Sequence, residues 1–139
     1  MTTRRCLILS WEYPPLIEGG LARHVRKLSE ALVELGVEVH VLTRGGEESP
    51  AEETVAGVRI HRVIEPKRPT DLGEFVAWVE RMNADMLAAG VELGDRFDFD
   101  LVHGHDWLVA MACDHLANRF DCPLVATIHA TEHLSLIHI

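Results

Sequence analysis

Two histidines and a carboxylate stand close together in one short segment of the chain, residues 103–107. Imidazole and carboxylate can bind a divalent metal ion together, so one interpretation is a small metal-dependent hydrolase using His103, His105 and Asp106. A metallohydrolase loop of the His-x-His-x-Asp-His kind, however, has its carboxylate one residue later with a histidine directly after it, and here Trp107 intervenes. The structural alternative is a histidine bonded to backbone at a strand end and an aspartate that caps the next helix.

A glycine pair, Gly19 and Gly20, separates a short apolar run from an amphipathic helical pattern. The run at residues 6–9 is typical of a buried strand, and two prolines at 14–15 end it. After the glycines, apolar residues recur in steps of four and three, at Leu21, Val25, Leu28, Leu32 and Leu35. Glycine can take a positive φ and lets backbone N–H groups at a helix start approach a phosphorylated ligand closely. The alternative is a tight turn with no function.

Strands and helices alternate along the rest of the chain. Gly36 is predicted to end the first helix, a polar loop is predicted over residues 44–50, and Thr70 or Asp71 can cap a long helix. The pattern predicts strands at 37–43, 58–64, 101–103 and 124–128, and helices at 72–87 and 107–119. This order is typical of an α/β fold, a Rossmann-like parallel sheet with flanking helices.

Three polar segments follow the predicted strands. They are the glycine loop, residues 103–107 and residues 129–132. Because ligands of open α/β sheets collect at the carboxyl ends of the strands, we expect the three segments to meet at one edge.

Composition limits the possible function classes. The chain has 139 residues, 47% of them hydrophobic, and a formal net charge of -9. It is therefore one ordinary domain at most, and its acidity argues against nucleic acid or an anionic membrane as the main partner. Three widely spaced cysteines, with no zinc-binding spacing, indicate reduced thiols in a cytoplasmic protein. We find neither a secretory signal nor a stretch of membrane-spanning length.

Three motifs together carry a family resemblance. They are Glu-Tyr-Pro-Pro-Leu-Ile-Glu-Gly-Gly-Leu-Ala at 12–22, His-Gly-His-Asp-Trp at 103–107 and Thr-Ile-His-Ala-Thr-Glu at 127–132. In this order and spacing the chain resembles the N-terminal half of a retaining glycosyltransferase with the two-domain GT-B fold. It is similar in particular to glycogen/starch synthase-like members and to family 4 enzymes.

The resemblance implies roles for individual residues. Gly19 and Gly20 would bring backbone N–H groups to the diphosphate of a nucleotide-sugar donor. His129 resembles the family histidine that contacts the donor sugar near the reacting carbon, and Asp106 resembles the carboxylate that holds sugar hydroxyls. Trp107 would support that loop by packing and would bind substrate by facing an acceptor sugar. The sugar would be transferred to a glucan or other glycan acceptor with retention, with no required metal and no resident cofactor.

Other predicted substrate-binding residues are Glu18, His105 and Glu132. Glu18 also marks a departure, because Ile17 and Glu18 precede the glycines where bacterial glycogen synthases have lysine and threonine. A carboxylate cannot serve as a phosphate-binding cation, so Glu18 is expected to accept hydrogen bonds from acceptor hydroxyls.

Length is the second departure from the family pattern. A GT-B enzyme needs another Rossmann domain, so we expect residues 1–133 to be an incomplete N-terminal, acceptor-side domain that is inactive alone. Residues 134–139 are atypical and are interpreted as a non-native tail. Exposure of the cleft face predicts self-association. A non-catalytic module that binds a sugar or nucleotide is the remaining alternative.

Overall fold

The computed structural model describes residues 3–16 and 19–129, which form a six-stranded sheet with three α-helices packed against it. The strands are β1 (Arg5–Leu9), β2 (Glu38–Gly45), β3 (Glu52–Val55), β4 (Val58–Ile64), β5 (Leu101–His105) and β6 (Leu124–Thr127). The helices are α1 (Gly20–Glu34), α2 (Leu72–Arg96) and α3 (Ala110–Phe120), and a 3₁₀ turn at Trp107–Val109 precedes α3.

The sheet has the order β3-β4-β2-β1-β5-β6, and every neighbouring pair is parallel except β3 with β4. The predicted α/β, Rossmann-like class is therefore confirmed. The sequence did not predict β3, which pairs antiparallel with β4 at one edge. Ala56 and Gly57 connect these two strands with φ values of 52° and 81°, as a tight hairpin turn requires.

The core lies on both faces of the sheet. Leu7 and Leu9 of β1 pack with side chains of α2 and α3, whereas Cys6 and Ile8 pack with Val25 of α1. Successive residues of a strand point to opposite faces, so a strand covered on both sides must be apolar throughout. This explains why the first apolar run is a strand.

Helix ends agree with the predicted caps. Gly36 has φ 91° directly after α1, the left-handed conformation expected of a terminating glycine. Asp71 caps α2 by accepting a hydrogen bond from the Glu74 backbone N–H at 2.8 Å. That helix runs to Arg96, beyond its predicted end.

All three cysteines are free thiols. Cys6 and Cys113 are buried and Cys122 is half-buried, and none of the three is in a disulfide. Within residues 3–16 and 19–129, no helix is long and apolar enough to cross a membrane.

Candidate active site

The carboxyl ends of β1, β5 and β6 meet at one edge of the sheet because these strands are parallel neighbours. The Asp106 backbone N–H, just after β5, donates to the carbonyl of Thr127 at 2.7 Å. His105 Nδ1 lies 3.3 Å from His129 Nε2. The predicted convergence of residues 103–107 with His129 is therefore present in the structure.

A third histidine completes this group. His24, in the second turn of α1, has its ring centroid 5.0 Å from that of His129 and 5.8 Å from that of His105. One side-chain nitrogen of each ring lies within 4.8 Å of the others. We call His24, His105 and His129 the histidine cluster. Sequence reasoning missed His24, whose only signal was a position four residues after Gly20.

His105 is the buried member of the histidine cluster. Burial, followed by the neighbouring His103, His129 and His24, lowers its pKa from 6.5 to about 3. The ring is therefore neutral near pH 7. Among the described residues, nothing forms a hydrogen bond with its Nε2.

His103 lies beside His105 on the face of β5 that is turned towards α1, with ring centroids 4.2 Å apart. Its Nε2 forms a hydrogen bond with Thr127 Oγ1 at 2.7 Å, and burial lowers its pKa as well. The residue between the two histidines is a glycine, since a Cβ at Gly104 would lie 2.6 Å from Sγ of Cys113. His103 thus ties β5 to β6 and is structural.

Asp106 has the capping role that the sequence allowed. Its Oδ1 accepts from the Trp107 backbone N–H at 3.0 Å, at the start of the 3₁₀ turn, and its φ is 70°. Trp107 is half-buried and edge-on to Phe75, with centroids 6.2 Å apart, which fits the predicted packing role. Neither His103 nor Asp106 belongs to the described group of possible metal ligands, so the hydrolase triad of His103, His105 and Asp106 is not assembled.

The glycine loop leaves open space at the start of α1. Among the described residues, a Cβ at Gly19 or Gly20 would have no atom within 4 Å, so a ligand could approach this backbone. Gly19 is extended, with φ −170°, and therefore does not use the left-handed conformation that glycine permits. Because the backbone of Gly19 is not strained, the physical reason for a glycine here is that a ligand can approach the backbone closely.

Glu12 holds the first turn of α1. No side-chain cap comes from Gly19; the Glu12 carboxylate, which is 1% exposed, accepts from the Ala22 backbone N–H at 2.9 Å. Ser10 Oγ donates to the carbonyl of Glu12 at 2.7 Å. Because the Ala22 N–H is already bonded to Glu12, a ligand at the start of α1 must bind the backbone N–H groups that precede Ala22.

Arg44 of β2 contacts the segment between β1 and α1. Its buried guanidinium donates from Nε to the carbonyl of Trp11, pairs with Glu65 and stacks 4.6 Å above the Trp11 ring. The sequence placed Arg44 in a polar loop, whereas it belongs to the strand. Glu18 and Glu132, both predicted to bind substrate, lie outside the described residues.

Comparisons with known proteins agree with this architecture. The profile of the family described as "Glycosyl transferase 4-like domain" matches residues 19–138. A glycogen synthase of Mycobacterium tuberculosis is 42% identical over 140 residues, covering 92% of this chain and 34% of that protein. A D-inositol 3-phosphate glycosyltransferase of Kineococcus radiotolerans is 35% identical over 141 residues, covering 92% and 31%. The chain spans about a third of the length of these curated relatives.

Solved structures show the same fold. Sucrose-phosphate synthase from Thermosynechococcus elongatus superposes with a TM-score of 0.74 at 19% identity, over 96% of this chain and 35% of that chain. The catalytic domain of starch synthase IV from Arabidopsis thaliana, bound to ADP and acarbose, gives a TM-score of 0.66 at 20% identity, over 92% and 34%. The topology of the sheet, the grouping of the site residues at one edge of it and the family profile agree: this chain belongs to the glycosyltransferase 4-like domain family.

Proposed function

We propose that the chain is the acceptor-side part of a retaining glycosyltransferase that moves a sugar from a nucleotide-sugar donor to a glucan or other glycan. The observation that carries this proposal is the position of His129. It lies at the carboxyl edge of the sheet and is exposed, and its Nε2 is 3.3 Å from Nδ1 of the buried His105. The similarity to a glycogen synthase supports a glucan as acceptor.

Roles follow from this placement. The exposed imidazole of His129 contacts the donor sugar, and His105 orients that imidazole. Asp106 accepts hydrogen bonds from sugar hydroxyls, while Trp107 packs beneath it. Glu18 is proposed to accept hydrogen bonds from acceptor hydroxyls and Glu132 to bind substrate; both lie outside the described residues, so these two assignments rest on the sequence.

The donor diphosphate is proposed to lie over Gly19 and Gly20. Charge developing on the leaving group needs prearranged dipoles, and the start of a 15-residue helix supplies them. The absence of a Cβ at both positions lets the phosphate oxygens reach the backbone. Transfer therefore proceeds without a required metal or a resident cofactor, and further cations come from the other domain of the enzyme.

The chain is proposed to supply part of an acceptor-side domain, residues 1–133, of a larger enzyme. Support comes from its relatives, since it spans only about a third of their length. A second Rossmann domain would supply most nucleotide contacts, so the chain alone is expected to bind weakly and not to turn over. Three free thiols favour a cytoplasmic location.

The proposal is tested by titrating the isotope-labelled chain with ADP-glucose, UDP-glucose and a linear maltooligosaccharide, followed by amide NMR. We expect a nucleotide sugar to shift the amide signals of Gly19, Gly20 and His129. His129→Ala should abolish the shifts, whereas His115→Ala, on the exposed face of α3, should leave them unchanged. Shifts located elsewhere, or identical in both variants, would overturn the assignment.

A further inference from the structure

Three imidazoles from three different elements meet in the histidine cluster. His24 comes from α1, His105 ends β5, and His129 follows β6. One nitrogen from each ring lies within 4.8 Å of the others. No carboxylate belongs to this described group. Its chemistry is therefore that of neutral nitrogen ligands.

His105 has capacity for another bond. Its ring is 0% exposed, and its Nε2 has no hydrogen-bond partner among the described residues. A neutral imidazole carries one proton, so a proton on Nε2 leaves the lone pair of Nδ1, the nitrogen that faces His129, available to a ligand. The buried ring of the cluster can therefore offer one nitrogen to an ion.

The spacing of the rings suits a tetrahedral ion. Zinc–imidazole bonds of about 2.0–2.1 Å at tetrahedral angles place ligand nitrogens roughly 3.3–3.4 Å apart. His105 Nδ1 and His129 Nε2 are already 3.3 Å apart. The third ring, His24, is exposed on a helix, so a side-chain rotation can bring its nitrogen closer.

We propose that His24, His105 and His129 bind a divalent late transition metal ion of the Zn²⁺ class, with the fourth position open to solvent. Imidazole ligands favour such ions, whereas Ca²⁺ and Mg²⁺ require oxygen ligands. Two of the three rings are exposed, so the ion can enter from the cleft.

The bound ion is an inhibitor of the transferase, a consequence that rests on the proposed function. A metal–nitrogen bond occupies the imidazole of His129 that the donor sugar needs. Zinc binding and donor binding are therefore mutually exclusive.

Calorimetric titration of the 139-residue chain with Zn²⁺ alone tests the site, and Co²⁺ reports its geometry by visible absorption. His24→Gln should weaken Zn²⁺ binding by at least about tenfold, a loss that even outer-shell partners can cause. It should also remove the tetrahedral Co²⁺ bands. The matched control, His115→Gln, removes an exposed helical histidine outside the cluster and should leave both readouts unchanged. Circular dichroism checks that both variants fold.

Several results would overturn the proposal. One is an equal affinity for Zn²⁺ in His24→Gln and in the parent chain, and another is an equal loss of Zn²⁺ affinity in His24→Gln and His115→Gln. A third is a thiolate-to-cobalt charge-transfer band in the near ultraviolet, which would show that a cysteine binds the ion. The metal titration contains no sugar, so it is independent of the transferase proposal. Donor binding by the metal-free chain without zinc binding would refute the metal site alone. Zinc binding by a chain that binds no donor even when it is metal-free would refute the transferase alone.

Discussion

At the scale of single residues, glycine occurs at positions 104 and 20 for two different physical reasons. A Cβ at Gly104 would meet Sγ of Cys113 at 2.6 Å, where α3 packs closely on β5. A Cβ at Gly20 would meet nothing within 4 Å. Gly104 is therefore required by the fold, whereas Gly20 is free to serve a ligand.

This contrast predicts opposite effects of the same substitution. Gly20→Ala should change the free energy of unfolding by no more than about 0.5 kcal/mol, as surface substitutions usually do. It should nevertheless weaken nucleotide-sugar binding. Gly104→Ala should lose roughly 1–3 kcal/mol by overpacking. Urea unfolding and the NMR titration measure the two effects, and an early unfolding transition in Gly20→Ala would contradict the first.

Buried histidines make the stability of the chain sensitive to acid. The unfolded chain protonates His105 below about pH 6.5, whereas the folded chain does so only near its pKa of about 3. Burial likewise lowers the pKa values of His40, His61 and His103. Within this window the unfolded state binds more protons, so stability must fall as the pH falls.

We therefore expect the urea midpoint to be lower at pH 5.0 than at pH 7.5 and nearly constant between pH 7.5 and about pH 8, below the pH at which the cysteines of the unfolded chain ionise. Each fully shifted histidine contributes at most about 1.4 kcal/mol per pH unit. His105→Gln should show a shallower fall over the same range than the parent chain. His115→Gln serves as the control, and a parent chain whose midpoint rises on acidification would disprove the account.

At the scale of elements, the start of α1 is held from outside the helix. Glu12 precedes the glycine loop, yet its carboxylate bonds to the Ala22 N–H at 2.9 Å. A carboxylate there also complements the positive end of the helix dipole. The geometry of the candidate diphosphate site thus depends on a residue that need not touch the ligand.

Glu12→Ala should destabilise the chain by about 1–2 kcal/mol, the usual cost of a lost helix cap. In this variant, the amide hydrogens at the start of α1 should exchange with solvent faster than those at the end of the same helix. Glu34→Ala, at the exposed far end of the same helix, is the matched control and should change neither measurement. Equal exchange throughout α1 in Glu12→Ala would show that the cap is not needed.

Elements were predictable from sequence where a local pattern determines them. The β1-α1-β2 unit, the Gly36 terminus and the Asp71 cap all follow from nearby residues. Strand β3 was missed because it is short, largely exposed and preceded by a polar loop. The end of α2 was missed because Gly90 and Gly94 interrupt its apolar pattern, although Leu116 and Phe120 of α3 pack closely against them.

The site was predictable to the same degree. His129 and Asp106 follow strands, and strand order alone brings them to one edge. His24 and Glu12 join them only through the packing of α1 on the sheet. No spacing in the sequence reports such a tertiary contact.

At the scale of the whole molecule, β6 forms an uncovered edge of the described sheet. Leu124 is 40% exposed, Val125 43% and Ile128, just beyond the strand, 59%. An apolar edge strand with unpaired backbone groups is a template for pairing with another chain.

We expect the chain to self-associate with increasing concentration in size-exclusion chromatography. Val125→Lys should shift the elution towards the monomer, because a charge on an edge strand opposes pairing. Val55→Lys, which places the same charge on the opposite edge, is the control. A parent chain that elutes as a monomer at every concentration would exclude the idea.

The strand order of the sheet also has a consequence for the order in which its parts are expected to fold. Arg5 and Asp100, whose hydrogen bond joins β1 to the start of β5, are 95 residues apart in the chain. Closing so long a loop costs entropy before any contact compensates for it, whereas the β3-β4 hairpin closes locally. We therefore expect the half of the sheet that carries His105 and His129 to dock late. A chain still folding would have its hairpin before it had the candidate site.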